Sequence, residues 1–189
     1  MHILKNIHSL KLISSIKPEE GHLLYDFITE QKIENIIEAG TGKSTLYFLA
    51  AIKENGKGHL TSIDINEIID DRHDHGTKCL LLINYAMDFF GEKFLDAHID
   101  FVIEDSIKVL KNYDDYKCDV FMHDSKHTYK HLYNELLALE NLKYPPMWFI
   151  CHDCIHDFAK AVFGKTWFKN RWKSFRRARH LEIFKRCGL

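Results

Sequence analysis

Hydrophobic positions along this chain switch repeatedly between two spacings, and the switches outline its elements. Leu23, Leu24, Phe27 and Ile28 recur at helical spacing behind Pro18-Glu19-Glu20. Proline is tolerated in a first turn and carboxylates favour the positive dipole end, so 18–31 is expected as a helix. The β-branched run 33–38 predicts a strand that ends in Ala39-Gly40-Thr41-Gly42-Lys43-Ser44-Thr45 and passes into a helical stretch at 46–54. A second strand at 59–65 follows Gly56 and Gly58 and carries Asp64 at its end. Further on, 79–90 reads as a helix and 99–103 as a strand closed by Glu104-Asp105-Ser106, with a short helix at 106–110. The run 118–123 is a strand ending in Asp124, 128–142 a helix, and the fully apolar 147–151 a buried strand ending in His152-Asp153. At the two ends, Ile7, Leu10, Leu12, Ile13 and Ile16 predict a helix over 5–16, and a helix over 160–176 precedes a strand over 180–185.

Strands buried on both faces and alternating with helices imply an α/β fold, a doubly wound, mainly parallel sheet with right-handed crossovers. Ligands of such sheets bind beyond the carboxyl ends of the strands. Glu38, Gly40, Asp64, Asp105, Asp124 and Asp153 all fall at those ends, so five strands deliver polar groups to one crevice.

Composition narrows the classes. With 189 residues, 46% hydrophobic and 28% charged, and only 3 Pro and 9 Gly, the chain is one domain's worth of foldable sequence, and collagen-like or disordered classes are excluded. Its apolar runs are far too short to span a bilayer and no signal-peptide pattern opens it, so a cytoplasmic protein is expected, with its five cysteines reduced. Charge is asymmetric: residues 157–189 carry +8 and the preceding 156 carry −9. With Trp167, Phe168, Trp172 and Phe175 interleaved, this basic end suits either a nucleic-acid partner or a solvated helix face. The expected organisation is an N-terminal helical extension over 1–17, a ligand-binding core over 18–156, and a basic helix with the last strand over 157–189.

Gly42-Lys43-Ser44 invites a phosphate-loop reading, but that motif needs a glycine where Ile37 stands, inside the strand. The alternative is a loop whose glycines let the backbone approach a nucleoside, with a helix N-terminus aimed at the ligand and Asp64 suited to ribose hydroxyls.

Pro18-Glu19-Glu20-Gly21, Ile36-Ile37-Glu38-Ala39-Gly40-Thr41-Gly42-Lys43-Ser44-Thr45, Ser62-Ile63-Asp64, Glu104-Asp105-Ser106, Asp124-Ser125-Lys126-His127-Thr128-Tyr129 and Cys151-His152-Asp153 occur in an order that resembles class I S-adenosylmethionine-dependent methyltransferases, especially the small O-methyltransferase-like branch. The resemblance covers roughly 18–156 and implies a Rossmann-like fold. It implies that Glu38, Gly40 and Gly42 line the methionine part of S-adenosylmethionine, that Thr41 and Ser44 of the same loop also bind the cofactor, that Asp64 holds the ribose, and that Asp105 lies by the adenine. It further implies a small-molecule acceptor, His127 as general base beside Asp124, and magnesium on Asp124 and Asp153. Plainer roles compete: Asp105 capping a helix, Asp124 and Asp153 capping turns. A nucleic-acid methyltransferase and a non-catalytic cofactor-binding protein are the rival functions. Zinc on His123, His127 and His131 or on Cys151 and Cys154 is disfavoured, because these do not share one face or form a second pair. Two departures stand out. The first loop is shortened, and only one strand is found after 160, so the sheet is expected to lack its last strand unless a second copy completes it as a homodimer.

Overall fold

Alternating side chains decide how the sheet is buried. Ile36, Val120, Met122, Trp148 and Ile150 face one apolar cluster, while Ile37, Phe121, Phe149 and Cys151 face the other, so the central strands are covered on both sides. The computed structural model describes residues 2–10, 16–65, 74–113 and 117–188. In chain order the elements are α1 (His2–Ser9), α2 (Pro18–Gln31), β1 (Asn35–Ala39), α3 (Lys43–Asn55), β2 (His59–Asp64), α4 (Asp74–Phe90), α5 (Glu92–His98), β3 (Ile99–Ile103), α6 (Ser106–Lys111), β4 (Val120–His123), α7 (Tyr129–Glu140), β5 (Trp148–Cys151), α8 (Asp157–Phe163), α9 (Thr166–Arg171), β6 (Trp172–Ala178) and β7 (Leu181–Arg186). The sheet order is β3-β2-β1-β4-β5-β7-β6. Strands β3 to β5 are mutually parallel, and β7 and β6 add an antiparallel pair. The order reverses between β1 and β4, which opens the crevice where this architecture binds ligands. The mainly parallel, helix-flanked α/β sheet is therefore as expected.

The C-terminal end is not. The helix expected over 160–176 is two short helices and a strand, and the sheet has its seventh strand. Trp172 and Phe175 explain the error. On a helix they would share a face, but here Trp172 packs on Phe149 (ring centroids 5.8 Å) and Phe175 packs on Phe27 (6.3 Å) and Trp148 (4.9 Å), on opposite sides of the sheet. Two apolar residues three apart fit one face of a helix or the two faces of a strand equally well, and pairing with β7 settles the competition in favour of strand. With the sheet complete, the reason for expecting a second copy falls away. The new edge strand carries Lys173, Arg176 and Arg177, charges that discourage edge pairing. Of the expected 5–16 helix, α1 accounts for the first part and 11–15 lie outside the described residues; α5 was not expected, and Gly91 separates it from α4.

Close helix contact fixes the layer over the crevice. A Cβ on Gly21 of α2 would lie 2.1 Å from the ring of Tyr47 on α3, so only glycine lets the two helices approach. The Tyr47 hydroxyl, its pKa pushed up to about 12 by burial, meets His8 Nδ1 at 2.8 Å. Lys43 Nζ donates to the carbonyls of His8 (3.3 Å) and Leu10 (3.4 Å). These contacts join the end of α1 to the start of α3, and they give Lys43 a structural task where a phosphate loop would need it on a nucleotide.

Candidate functional site

The first loop is held from beneath. Glu38 is fully buried; its carboxyl accepts hydrogen bonds from Ser44, from Thr45 Oγ1 (2.6 Å) and from Ser62 Oγ (2.9 Å). Burial raises its pKa to about 8 against the opposing pull of the three hydroxyls. Gly40 turns the chain at φ +100°, and a Cβ there would fall 2.2 Å from the Asp124 carbonyl oxygen, so β1 can leave the sheet against β4 only through glycine. Thr41 donates its N–H to Asp64 Oδ2 (3.1 Å), and its hydroxyl meets Ser62 Oγ (2.8 Å). Thr45 Oγ1 also accepts the Gly42 N–H at 3.1 Å. The loop thus hangs on acids and hydroxyls from β1, β2 and α3.

At the end of β3, Asp105 Oδ1 accepts the N–H groups of Ile107 (3.0 Å) and Lys108 (3.1 Å), capping α6. Behind this cap is a buried network. Glu135 of α7 accepts from Ser106 and from Ser125 (2.9 Å), and pairs with His123 Nδ1 (2.5 Å) and His131 Nε2 (3.0 Å). Burial alone would raise Glu135, but the two imidazoles prevail and hold it at about 2.

The ends of β4 and β5 gather histidines around two carboxylates. His127 lies with Nε2 3.4 Å from Asp124 Oδ1 and Nδ1 3.3 Å from Asp153 Oδ2, its ring stacked on Phe158 at 5.4 Å. It is 38% exposed. The hydrogen bond to Asp124, then the charges of Asp124 and Asp153, raise its pKa despite partial burial. His152 is buried, with Nδ1 3.1 Å from Asp124 Oδ1 and 3.6 Å from Asp153 Oδ2; burial opposes its charge, but the carboxylates around it lift it to about 10. Asp124 is held below the ordinary carboxylate range, since the two imidazoles outweigh its burial. Asp153 adopts φ +55°, a left-handed conformation that turns the chain out of β5.

A family model described as a methyltransferase domain matches residues 37–154, well over half the chain and the whole span of these strand ends. The chain belongs to that family. It is a class I S-adenosylmethionine-dependent methyltransferase with the fold of the small O-methyltransferase-like branch. Among solved structures, a putative caffeoyl-CoA O-methyltransferase from Staphylococcus aureus superposes with a TM-score of 0.64 at 14% identity, covering 98% of this chain and 91% of that one. The S-adenosylhomocysteine-bound methyltransferase PaMTH1 of Podospora anserina gives 0.65 at 10% identity, over 93% and 80%. The O-methyltransferase TomG of Streptomyces achromogenes, solved with S-adenosylmethionine, gives 0.62 at 12% identity, over 100% and 91%. A search of curated proteins gives no significant match.

In this methyltransferase the strand ends bring Gly40, Thr41, Asp64, Asp124, His127 and Asp153 to one edge of the sheet. Glu38 and Ser44 lie beneath the loop, bonded to each other, and Asp105 spends one oxygen on the α6 cap. Glu20 escaped the sequence reading as a site residue. It is fully buried, with Oε1 accepting the His180 N–H (2.9 Å) and Oε2 accepting the Lys17 N–H (2.8 Å) 3.7 Å from His152 Nε2. As the third residue of α2 it reads as an ordinary capping carboxylate, and nothing local announces its distant partners. His156 and His180 were also not singled out, as they come together only through the β6–β7 turn, and His152 meets Asp124 only through the pairing of β4 with β5.

Proposed function

We propose that this enzyme transfers the methyl group of S-adenosylmethionine to a hydroxyl oxygen of a small molecule, with His127 accepting the hydroxyl proton. The observation that carries the reading is His127 itself: a partly exposed imidazole between two carboxylates at the crevice. Methyl transfer to oxygen needs the acceptor aligned with the sulfonium methyl and relieved of its proton. Asp124 and Asp153 stabilise the imidazolium that results. The loop Gly40-Thr41-Gly42, supported by Glu38 and Ser44, is assigned to the methionine end of the cofactor, Asp64 to the ribose, and the segment at Asp105 to the adenine.

Magnesium fits this donor set poorly. It prefers an octahedron of oxygens, whereas among the described residues the third donor grouped with Asp124 and Asp153 is His152, and the His127 imidazole lies between Asp124 Oδ1 and Asp153 Oδ2. No step needs the ion. A nucleic-acid acceptor is also less well supported, because Arg171, Arg176, Arg177, Arg179 and Arg186 of the basic segment each pair with a glutamate.

Calorimetric titration with S-adenosylmethionine, alongside product formation on a panel of phenols and alcohols, tests the proposal. Asp64→Ala is expected to abolish cofactor binding, and His127→Ala to keep it while turnover falls by about 10²–10⁴-fold. Full turnover in His127→Ala rules out the base; unimpaired binding in Asp64→Ala rules out the cofactor assignment.

A further inference from the structure

The Asp153 carboxylate has two faces, and the proposed chemistry uses one. Oδ2 points toward His127 and His152, while Oδ1 stands 3.5 Å from His156 Nε2 and 3.5 Å from His180 Nδ1. One ligand atom from each of Asp153, His156 and His180 lies within 4.8 Å of the others. At 3.5 Å neither imidazole makes a good hydrogen bond to the carboxylate, for charge-assisted bonds run about 2.7–2.9 Å. Bonds of about 2.0–2.2 Å to a tetrahedral zinc-class ion set neighbouring donors about 3.3–3.6 Å apart, which is the spacing of both histidines from Oδ1.

The group is also built into the fold. His180 comes from the β6–β7 turn, where its N–H donates to buried Glu20 and its carbonyl accepts the Cys154 N–H at 2.9 Å. His156 follows Asp153 by three residues, and its N–H donates to the Asp153 carbonyl at 3.0 Å. Two loops far apart in sequence are therefore fixed against each other, with the three donors between them. The imidazole rings remain half exposed, at 55% and 44%, so an ion can reach them from solvent.

We propose that Asp153, His156 and His180 bind a divalent transition-metal ion of the zinc class, with one coordination position left open. Two imidazoles and a carboxylate select zinc or cobalt over magnesium or calcium. The site shares Asp153 with the cofactor crevice but takes its other carboxylate oxygen, and ion binding there does not depend on methyl transfer.

The test is titration of untagged, chelator-stripped enzyme with Zn²⁺ and Co²⁺, followed by metal analysis after dialysis and the visible absorption of bound cobalt. One ion per chain is expected, displaced by Zn²⁺ and not by excess Mg²⁺. His156→Ala and His180→Ala should each weaken binding by more than the roughly 10–100-fold that loss of an outer-shell partner costs. Asp124→Asn should leave it intact. Absence of stoichiometric binding overturns the site, as does binding that survives both histidine variants or disappears in Asp124→Asn. Cofactor titration of the same samples keeps this outcome separate from the fate of the methyltransfer proposal.

Discussion

His127 accepts a proton only in its neutral form, yet its two carboxylate neighbours favour the charged one. With its pKa raised above 6.5, turnover is expected to climb with pH through that raised value. Asp124→Asn removes the carboxylate that contributes most to the shift, so the rising limb of the kcat/KM profile should move to lower pH, which a profile of wild type against variant checks. Gly40 is as constrained by its backbone as His127 by its neighbours. Gly40→Ala places a side chain at φ +100° against the Asp124 carbonyl, and backbone strain alone should cost about 1–3 kcal/mol in urea unfolding, with weaker cofactor binding alongside. The turn at the glycine and the placement of the acids at strand ends were legible in the sequence because both follow from local position. The orientation of Glu38 was not: a carboxylate at the end of a strand faces ligand or core according to a pleat that periodicity does not fix to the residue.

Between elements, the decisive contacts run from α7 to the ends of β3 and β4 through Glu135. Its pKa is lowered in the folded state, so its stabilisation is fully present above pH 4.5 and is lost as pH falls toward 2. Glu135→Ala should cost about 3–5 kcal/mol at neutral pH, since it leaves His123 and His131 without their carboxylate, and should flatten the acid side of the stability curve. Denaturant melts from pH 3 to about 7 check both, the range following from that linkage. The sequence presents His123, His131 and Glu135 as separate residues on a strand and a helix. Only the crossover angle turns them into a cluster, just as only pairing with β7 turns 172–178 into a strand.

Over the whole molecule, the acidic body and the basic end largely cancel. Arg176 reaches Glu30 at 2.6 Å, Arg179 reaches Glu19 at 3.3 Å, and Arg186 reaches Glu140 at 2.5 Å. The charge asymmetry along the chain is thus in part the sequence record of ion pairs that close the sheet's antiparallel end onto its helices. Binding to RNA is expected to be weak and no tighter than to other polyanions, which fluorescence anisotropy at two salt concentrations measures. No described helix is long and apolar enough to cross a membrane. The parallel half of the architecture was legible because strand, turn and helix alternate there at regular intervals, whereas the antiparallel end is decided by the pairing of β6 with β7 and by contacts to α2, more than a hundred residues away. The same interlocking limits how the chain can change over generations. Gly21 and Tyr47 occupy a single space, so a larger residue at 21 is tolerated only after the ring at 47 has been given up, and giving up the ring first also releases His8. Across descendants of this sequence the two positions should drift together or stay still, with the route through position 47 travelled first.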